Sequence, residues 1–223
     1  MKGKIAEIFE SVQGEGLYFG HKQLFIRFFG CNLNCKFCDT KPINYVEYEV
    51  EELFEKIKSN NNQLRFVSFT GGEPLVQKDF LKNVSKLTKE NGFMNYLDSN
   101  GIMAEELKEV IEFIDVIAMD LKLPSSTGMD GFWQEHRRFL QVASEKEVFL
   151  KTVICENTSD EDFKKAVDLI KDTCSSAVLV LQPDSSKLSD FLEEKLQEFN
   201  QICYEEGIVS CIIPQMHKII GIK

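Results

Sequence analysis

Residues 24–40 read Leu-Phe-Ile-Arg-Phe-Phe-Gly-Cys-Asn-Leu-Asn-Cys-Lys-Phe-Cys-Asp-Thr and join two unlike patterns. The first six residues are apolar or aromatic around one arginine, which is typical of a buried β-strand. A loop follows at once and carries Cys31, Cys35 and Cys38 at C-x3-C-x2-C spacing. Thiolates with this spacing can bind three of the four irons of a 4Fe–4S cubane, which leaves the fourth iron open to an external ligand.

Two simpler explanations account less well for this loop. A structural zinc site takes four protein ligands, and neither His21 nor His217 lies at a usual spacing from the cysteines. Buried cysteines are common in protein cores, but three within eight residues of one loop are not. We therefore predict an iron–sulfur cluster here, and small core side chains at the cysteines without such spacing, Cys155, Cys174, Cys203 and Cys211.

The composition narrows the classes of partner. The chain of 223 residues carries 36 acidic and 26 basic residues, a net charge of −10. This charge repels a phosphate backbone and no long basic run offsets it, so nucleic acid is not expected as a partner. No apolar run approaches the roughly 18 residues of a membrane span, and the first residues lack the apolar stretch of a secretory signal. We expect a cytoplasmic protein without membrane contact, in which thiols stay reduced.

Outward from residues 24–40, short β-branched or aromatic runs alternate with helical periodicity, as in parallel βαβ units. The predicted strands are 24–29, 65–70, 93–98, 115–121, 147–154, 176–182 and 208–213. The predicted helices are 48–60, 77–91, 103–113, 159–173 and 187–206. The pattern predicts an α/β fold, a partial parallel βα barrel of about six βα units, with its site at the C-terminal strand ends. Residues 1–223 are expected to form a single domain, and the loop 122–132 is expected to be functional.

A second motif, Thr70-Gly71-Gly72-Glu73-Pro74, follows the next predicted strand. It offers glycines for close approach and a carboxylate that can pair with an ammonium group. Together with the cysteines and Phe37, it resembles the signature of the radical S-adenosylmethionine (SAM) superfamily. The resemblance implies that SAM chelates the open iron of the cluster, and that the reduced cluster splits the sulfonium C–S bond to give a 5′-deoxyadenosyl radical.

Four further stretches resemble one branch of that superfamily, the 7-carboxy-7-deazaguanine synthases. They are 8–16 (Ile-Phe-Glu-Ser-Val-Gln-Gly-Glu-Gly), 38–40 (Cys-Asp-Thr), 181–183 (Leu-Gln-Pro) and 214–218 (Pro-Gln-Met-His-Lys). The resemblance spans essentially the whole chain. It implies a compact homodimer that converts 6-carboxy-5,6,7,8-tetrahydropterin to 7-carboxy-7-deazaguanine with loss of ammonia, uses SAM catalytically, and receives electrons from a donor such as flavodoxin or ferredoxin.

The resemblance also implies roles for individual residues. The hydroxyl of Thr40 would ligate Mg2+. SAM would be bound by residues of the two signature motifs and of two strand ends: Phe37, Cys38, Asp39, Gly72, Glu73, Asp120, Leu121, Lys122, Gln182, Pro183 and Asp184. The substrate would be bound by residues of the first and last motifs together with two strand residues: Val12, Gln13, Gly14, Glu15, Arg27, Thr70 and His217.

Residue chemistry supports part of this list independently. Arg27 lies between two apolar strand residues, so we expect it inside the barrel, paired with the substrate carboxylate. The alternative is a structural ion pair with Glu10 or Glu15. Gln13 and Glu15 can match the donors and acceptors of an aminopyrimidinone edge, although the same residues could form an exposed hairpin turn. Taken alone, His217 is an ordinary core or surface histidine.

Two stretches depart from the family pattern. Residues 119–122 read Met-Asp-Leu-Lys where Ser-Pro-Lys is common, and 98–101 read Asp-Ser-Asn-Gly in place of Glu-Thr-Asn-Gly. The first pattern also occurs in radical SAM activases, so a glycyl-radical activase acting on another protein stays open as an alternative. A non-enzymatic iron–sulfur or zinc protein is the third. The first and last motifs favour the synthase over the activase, and Gly71-Gly72-Glu73 counts against the third.

Overall fold

The computed structural model describes residues 1–38, 40, 42–59 and 64–221. The strands described there form one nine-stranded sheet in the order β3-β1-β2-β4-β5-β6-β7-β8-β9. Their bounds are β1 Lys2–Val12, β2 Lys22–Phe28, β3 Val46–Glu49, β4 Phe66–Gly71, β5 Met94–Ser99, β6 Val116–Asp120, β7 Glu147–Ile154, β8 Leu179–Pro183 and β9 Ser210–Ile212. β1 pairs antiparallel with β2 and β3, and all other pairs are parallel.

Helices connect the parallel strands. They are α1 Val50–Ser59, α2 Lys78–Glu90, α3 Ala104–Val110, α4 Pro124–Thr127, α5 Trp133–Ala143, α6 Asp160–Cys174, α7 Asp190–Glu205 and α8 Met216–Ile220, with 3-10 turns at Pro74–Gln77 and Ile111–Phe113. Within the ranges that the structure covers, no helix combines the length and apolarity that a membrane crossing requires. The α/β prediction of a partial parallel βα barrel is confirmed.

The two faces of the barrel strands carry different kinds of side chain. On β2, Leu24, Ile26 and Phe28 belong to the main apolar core, whereas Phe25 and Arg27 line an inner cavity. The same alternation recurs along the other strands because successive side chains point to opposite faces. Both faces are therefore covered, as parallel sheets require.

An aromatic floor closes the N-terminal end of the barrel. Tyr96 and Phe149 pack there in a second, smaller apolar cluster. Tyr18, from the loop between β1 and β2, contacts Phe66 and Tyr96 edge-on at 5.5 and 5.6 Å between ring centroids. The hydroxyl of Tyr18 donates to Oε1 of Glu147 at 2.7 Å. The open space of the barrel therefore lies at the C-terminal strand ends.

Sequence periodicity located most strands and helices and missed five. All predicted strands and helices exist; the strand 147–154 has the predicted bounds and the others have shifted ends, although the last residue of the predicted helix 48–60 lies outside the described residues. The missed elements are β1, β3, α4, α5 and α8, and α4 lies within the stretch 122–132 that was predicted as a loop. β1 alternates weakly because much of it is half-buried. In α5 a polar run follows the first residue, Trp133, and resembles a continuation of the loop before it.

Candidate active site

A cavity of about 500 Å3 opens at the C-terminal strand ends. It is lined by most of the residues to which the sequence assigned a role: Val12, Gln13, Gly14, Glu15, Arg27, Cys31, Cys35, Phe37, Cys38, Thr40, Thr70, Gly72, Asp120, Lys122, Gln182 and Asp184. Glu73, Leu121 and Pro183 do not line it. Asp39 and the side chain of His217 lie outside what the structure describes.

The cysteine loop lies at the rim of this cavity. Cys31 and Cys38 are exposed and Cys35 is buried. Burial raises the pKa of the Cys31 and Cys35 thiols, and the nearby ammonium of Lys122 lowers both. Among the described residues, no three His, Cys, Asp or Glu side chains converge on a single metal ion. A cubane instead takes each thiolate on a different iron, so this donor set fits a three-thiolate cluster better than a zinc site.

Gly71 and Gly72 let the end of β4 lie directly against the start of the cysteine loop. A Cβ atom at Gly72 would lie 1.8 Å from the carbonyl oxygen of Gly30, and one at Gly71 would lie 2.5 Å from that of Phe28. The backbone N–H of Gly72 donates to Phe28 at 3.1 Å, and that of Glu73 donates to Gly30 at 2.9 Å. The close approach expected from these glycines is therefore an approach to the cysteine loop.

The carboxylate of Glu73 lies behind the cavity wall. It accepts hydrogen bonds from the backbone N–H of Leu75 at 3.1 Å and of Asn100 at 2.7 Å, and from the Ser99 hydroxyl at 3.1 Å. Burial raises its pKa to about 7, against the opposing effect of these hydrogen bonds. In this structure both carboxylate oxygens therefore hold the ends of β4 and β5 together, and the role of Glu73 in binding SAM stays a prediction.

Asn100 extends this network to the cysteine loop. Its side-chain amide donates to Oδ1 of Asn32 at 2.7 Å. Its own Oδ1 is buried without a hydrogen-bond partner among the described residues, and so are Oδ1 of Asp120 and Oε1 of Gln182. Buried acceptors of this kind are costly unless a ligand or water satisfies them. Three such acceptors around one cavity fit the amino and hydroxyl groups of SAM.

Lys122 and Asp120 form an ion pair beside the cysteine loop. Nζ of Lys122 lies 2.7 Å from Oδ2 of Asp120 and 5.2 Å from the centroid of the Phe37 ring. Burial lowers the pKa of Lys122, but the charge of Asp120 and the neighbouring Cys35 thiol outweigh it and raise this pKa above its ordinary value. Lys122 is therefore a fixed cation on the side of the cavity that the cysteine loop lines.

His136, on the unpredicted helix α5, supports this wall from behind. Its Nε2 accepts from the backbone N–H of Lys122 at 3.1 Å, and its Nδ1 lies 2.9 Å from the carbonyl oxygen of Gly101. These two partners require a neutral ring with the proton on Nδ1. Burial lowers its pKa to about 4, so the ring stays neutral at ordinary pH.

We expect His136 to make stability depend on pH. The folded-state pKa of about 4 lies below the ordinary 6.5, so its contribution is complete above pH 6.5 and is lost as the pH falls toward 4. The full loss corresponds to about 3 kcal/mol of unfolding free energy. Urea unfolding should show a stability difference between wild type and His136→Gln that shrinks from pH 7 to pH 5. The exposed-histidine variant His21→Gln should track wild type, and a constant difference for His136→Gln would contradict the assignment.

The opposite side of the cavity holds a second charged group. Nζ of Lys151 lies 2.7 Å from Oε2 of Glu15 and 3.1 Å from Oδ1 of Asp98. Nε2 of Gln215 donates to Oε1 of Glu15 at 2.7 Å, and the backbone N–H of Met216 donates to Gly14 at 2.9 Å. The first and last sequence motifs therefore meet across the barrel. The sequence alone assigned no role to Lys151, Asp98 or Gln215. Their roles depend on the contact between the first and last motifs, which only the folded structure shows.

Arg27 faces the cavity but does not pair as the structural alternative proposed. Its Nε lies 3.1 Å from Oε2 of Glu7, and its guanidinium donates to Oγ1 of Thr40 at 3.3 Å. The expectation of Glu10 or Glu15 was wrong because β1 had not been recognised. The antiparallel register places Glu7 opposite Arg27 and Glu10 opposite Leu24. Glu10 therefore belongs to the other face of the sheet.

Comparison with known proteins identifies the family of this chain. The model of the radical SAM superfamily matches residues 25–184. The 7-carboxy-7-deazaguanine synthase of Geobacter sulfurreducens is 32% identical over 98% of this chain and 97% of its own length. The protein of the same name from Archaeoglobus fulgidus is 31% identical over the full length of both. Among solved structures, QueE from Escherichia coli has a TM-score of 0.67 and 20% identity, covering 95% of this chain and 94% of its own.

Two of these findings show which family the chain belongs to. The superfamily model covers more than half of the chain, and the Geobacter relative exceeds 30% identity over nearly all of it. The structural likeness to QueE supports the fold, namely the partial βα barrel. The chain therefore belongs to the radical SAM superfamily and, within it, to the 7-carboxy-7-deazaguanine synthase family.

Proposed function

We propose that this protein is a radical SAM carbon–nitrogen lyase that converts 6-carboxy-5,6,7,8-tetrahydropterin to 7-carboxy-7-deazaguanine with loss of ammonia, a step of queuosine biosynthesis. One observation carries the proposal. A single cavity is lined on one side by the cysteine loop and on the other by Glu15 and Gln215 of the motifs typical of this family, together with Arg27 of β2. We take residues 1–223 as one catalytic domain.

The SAM side of the cavity would be formed by the two signature motifs. Cys31, Cys35 and Cys38 would hold the 4Fe–4S cluster, which together with bound SAM would supply radical chemistry. Asp120 would accept from the ribose hydroxyls and Lys122 would pair with the SAM carboxylate. The remaining contacts would come from Phe37, Asp39, Gly72, Gln182 and Asp184. Glu73, Leu121 and Pro183 would act from behind this wall.

The substrate side would recognise the pterin by its two polar edges. The Glu15 carboxylate and the Gln13 amide can match the N–H and carbonyl groups of the aminopyrimidinone ring. Arg27 would bind the substrate carboxylate, since a guanidinium presents paired donors in one plane. Further contacts would come from Val12, Gly14, Thr70 and His217. The aromatic floor at the N-terminal end of the barrel would keep water from entering there.

Thr40 is the proposed Mg2+ ligand. It lines the cavity next to Arg27, on the side where the substrate carboxylate would lie. Mg2+ takes oxygen ligands and keeps several waters, so one hydroxyl suffices only when substrate oxygens complete the shell. An ion held in this way would orient the substrate without bringing a reactive side chain near it.

Three properties of the molecule belong to the same proposal. The protein would act as a homodimer in the cytoplasm and receive electrons from a flavodoxin or ferredoxin. Its net charge of −10 argues against a nucleic-acid partner. A small substrate is recognised by the cavity alone, so no macromolecular substrate is needed.

Anaerobic incubation of the reconstituted protein with SAM, reductant and 6-carboxy-5,6,7,8-tetrahydropterin tests the function. We expect mass analysis to show 7-carboxy-7-deazaguanine in molar excess over the SAM consumed. A glycyl-radical activase would give no such product and would consume SAM in proportion to the radical installed on a partner protein. That outcome would replace the lyase with the activase.

Arg27→Met should weaken binding of the pterin far more than binding of SAM. Losing a largely buried charge opposite a carboxylate costs about 2–5 kcal/mol of binding free energy. Anaerobic equilibrium dialysis with each ligand measures the two dissociation constants separately. The exposed-arginine variant Arg65→Met is the control and should bind both ligands as wild type does. Equal losses of SAM and pterin affinity in Arg27→Met would refute the role.

A further inference from the structure

Lys151 is a buried cation that joins two distant parts of the chain. It lies on the inner face of β7 and is 6% exposed. Its Nζ lies between a carboxylate of the loop after β1, Glu15, and a carboxylate at the end of β5, Asp98, at 2.7 and 3.1 Å. Thr70, at the end of β4, donates its hydroxyl to Asp98 at 3.2 Å. The ammonium therefore fastens a loop to the barrel wall inside the cavity.

The charges around Lys151 keep it protonated. Burial alone lowers its pKa, but Asp98, Glu15 and Asp120 together outweigh burial and hold the pKa well above the ordinary value of a lysine. Tyr96 on β5 and Lys122 after β6 also face it from neighbouring elements, and Lys218 of α8 lines the same cavity and donates to Oε1 of Gln215 at 2.7 Å. A cation that stays charged can fix the charge state of its partners throughout the working pH range.

The Glu15 carboxylate is held through both of its oxygens. Oε2 pairs with Lys151 at 2.7 Å and Oε1 accepts from the amide of Gln215 at 2.7 Å. The backbone N–H of Glu15 also donates to Oε1 of Gln13 at 3.1 Å. This arrangement fixes the plane of the carboxylate and its position in the loop. Without the ammonium, Glu15 and Asp98 would face each other as two like charges, which favours uptake of a proton.

We propose that Lys151 is a positioning residue that keeps the Glu15 carboxylate ionised and in one orientation for recognition of the substrate's N–H edge. The inference rests on the proposed function, since it takes the pterin as the ligand. An ionised carboxylate only accepts hydrogen bonds, whereas a protonated one would turn a donor toward the N–H groups of the substrate. Lys151 thus acts on the substrate through Glu15.

The test compares Lys151→Met with the surface-lysine control Lys165→Met, whose parent lysine pairs with Glu161 on the exposed face of α6. Dissociation constants for 6-carboxy-5,6,7,8-tetrahydropterin and for SAM are measured anaerobically on reconstituted protein at pH 6.5, 7.5 and 8.5. At pH 7.5 we expect Lys151→Met to bind the pterin about 30-fold more weakly or worse. SAM affinity should change little, and the loss of pterin affinity relative to wild type should deepen at pH 6.5 and shrink at pH 8.5.

Two further variants separate positioning from a merely structural role. Lys151→Arg keeps the charge, and we expect it to restore a pH-independent ratio to wild type. The double variant Lys151→Met/Glu15→Gln removes both charges, so it should fold even where the single variant fails, and it should bind the pterin no worse than Glu15→Gln alone.

Three outcomes would overturn the inference and leave the proposed function standing. They are additive losses of pterin affinity in the double variant, equal losses of pterin and SAM affinity in Lys151→Met, and a loss of pterin affinity that does not vary with pH. A wild-type protein that binds SAM but not the pterin would overturn the proposed function itself, and the inference with it.

Discussion

Cys35→Ala should leave the anaerobically reconstituted protein with no more than a trace of the about four irons per chain expected for wild type. The same result is expected for Cys31→Ala and Cys38→Ala. Each thiolate would bind a different iron, and no other group of potential ligands among the described residues converges nearby to replace it. Iron and sulfide analysis, with the visible absorbance of the cluster, measures the effect, and turnover should be abolished.

A free cysteine outside the loop provides the matched control. Cys174 lies at the end of α6 and is half-buried, so Cys174→Ala removes a thiol without touching the cavity. This variant should retain the iron content of wild type. Stoichiometric zinc in wild-type protein reconstituted anaerobically, without iron-linked absorbance, would contradict the cluster itself.

Gly72→Ala should lower turnover at least ~100-fold and reduce the cluster content. The added Cβ would meet the carbonyl oxygen of Gly30 at 1.8 Å and the backbone nitrogen of Cys31 at 3.1 Å. Backbone atoms cannot move aside as a flexible side chain can, so the cysteine loop itself must shift. Misplacement of reacting groups by about 1 Å costs on the order of 100-fold in rate. Iron analysis and the anaerobic product assay measure the two effects.

Gly207→Ala is the control for this substitution. An added Cβ there meets nothing within 4 Å, although its φ of +74° introduces some backbone strain. We expect Gly207→Ala to lose a little stability and to keep both its cluster and its activity. Wild-type iron content and turnover in Gly72→Ala would show that the cysteine loop tolerates displacement. Such a result would contradict the claim that position 72 must be glycine for the cysteine loop to pack there.

Features that depend on a short stretch of chain could be predicted from the sequence. The spacing of Cys31, Cys35 and Cys38 depends only on the reach of one loop, and the close approach at Gly72 depends on the absence of a side chain. The inner position of Arg27 follows from the alternation of a single strand. Helices with a continuous apolar face, such as α2 and α6, were located for the same reason.

Contacts between residues far apart in the chain could not be predicted from the sequence. The pairing of Arg27 with Glu7 depends on the register of β1 against β2, which no single strand reveals. The burial of Glu73 depends on the end of β5 closing over it. His136 was not predicted as a structural residue because its helix, α5, was not predicted.

The sequence by itself determined the fold class and the cysteine loop, because these depend on short spacings and on periodicity along the chain, and the family through the resemblance of its motifs. Only the tertiary structure decided which charges meet inside the barrel. Lys151, Glu15 and Asp98 come from three separate segments, and closing the sheet brings them within hydrogen-bonding distance. A buried ammonium among carboxylates is stable only where all of them are present together. That requirement belongs to the packed barrel, and no segment of the chain carries it alone.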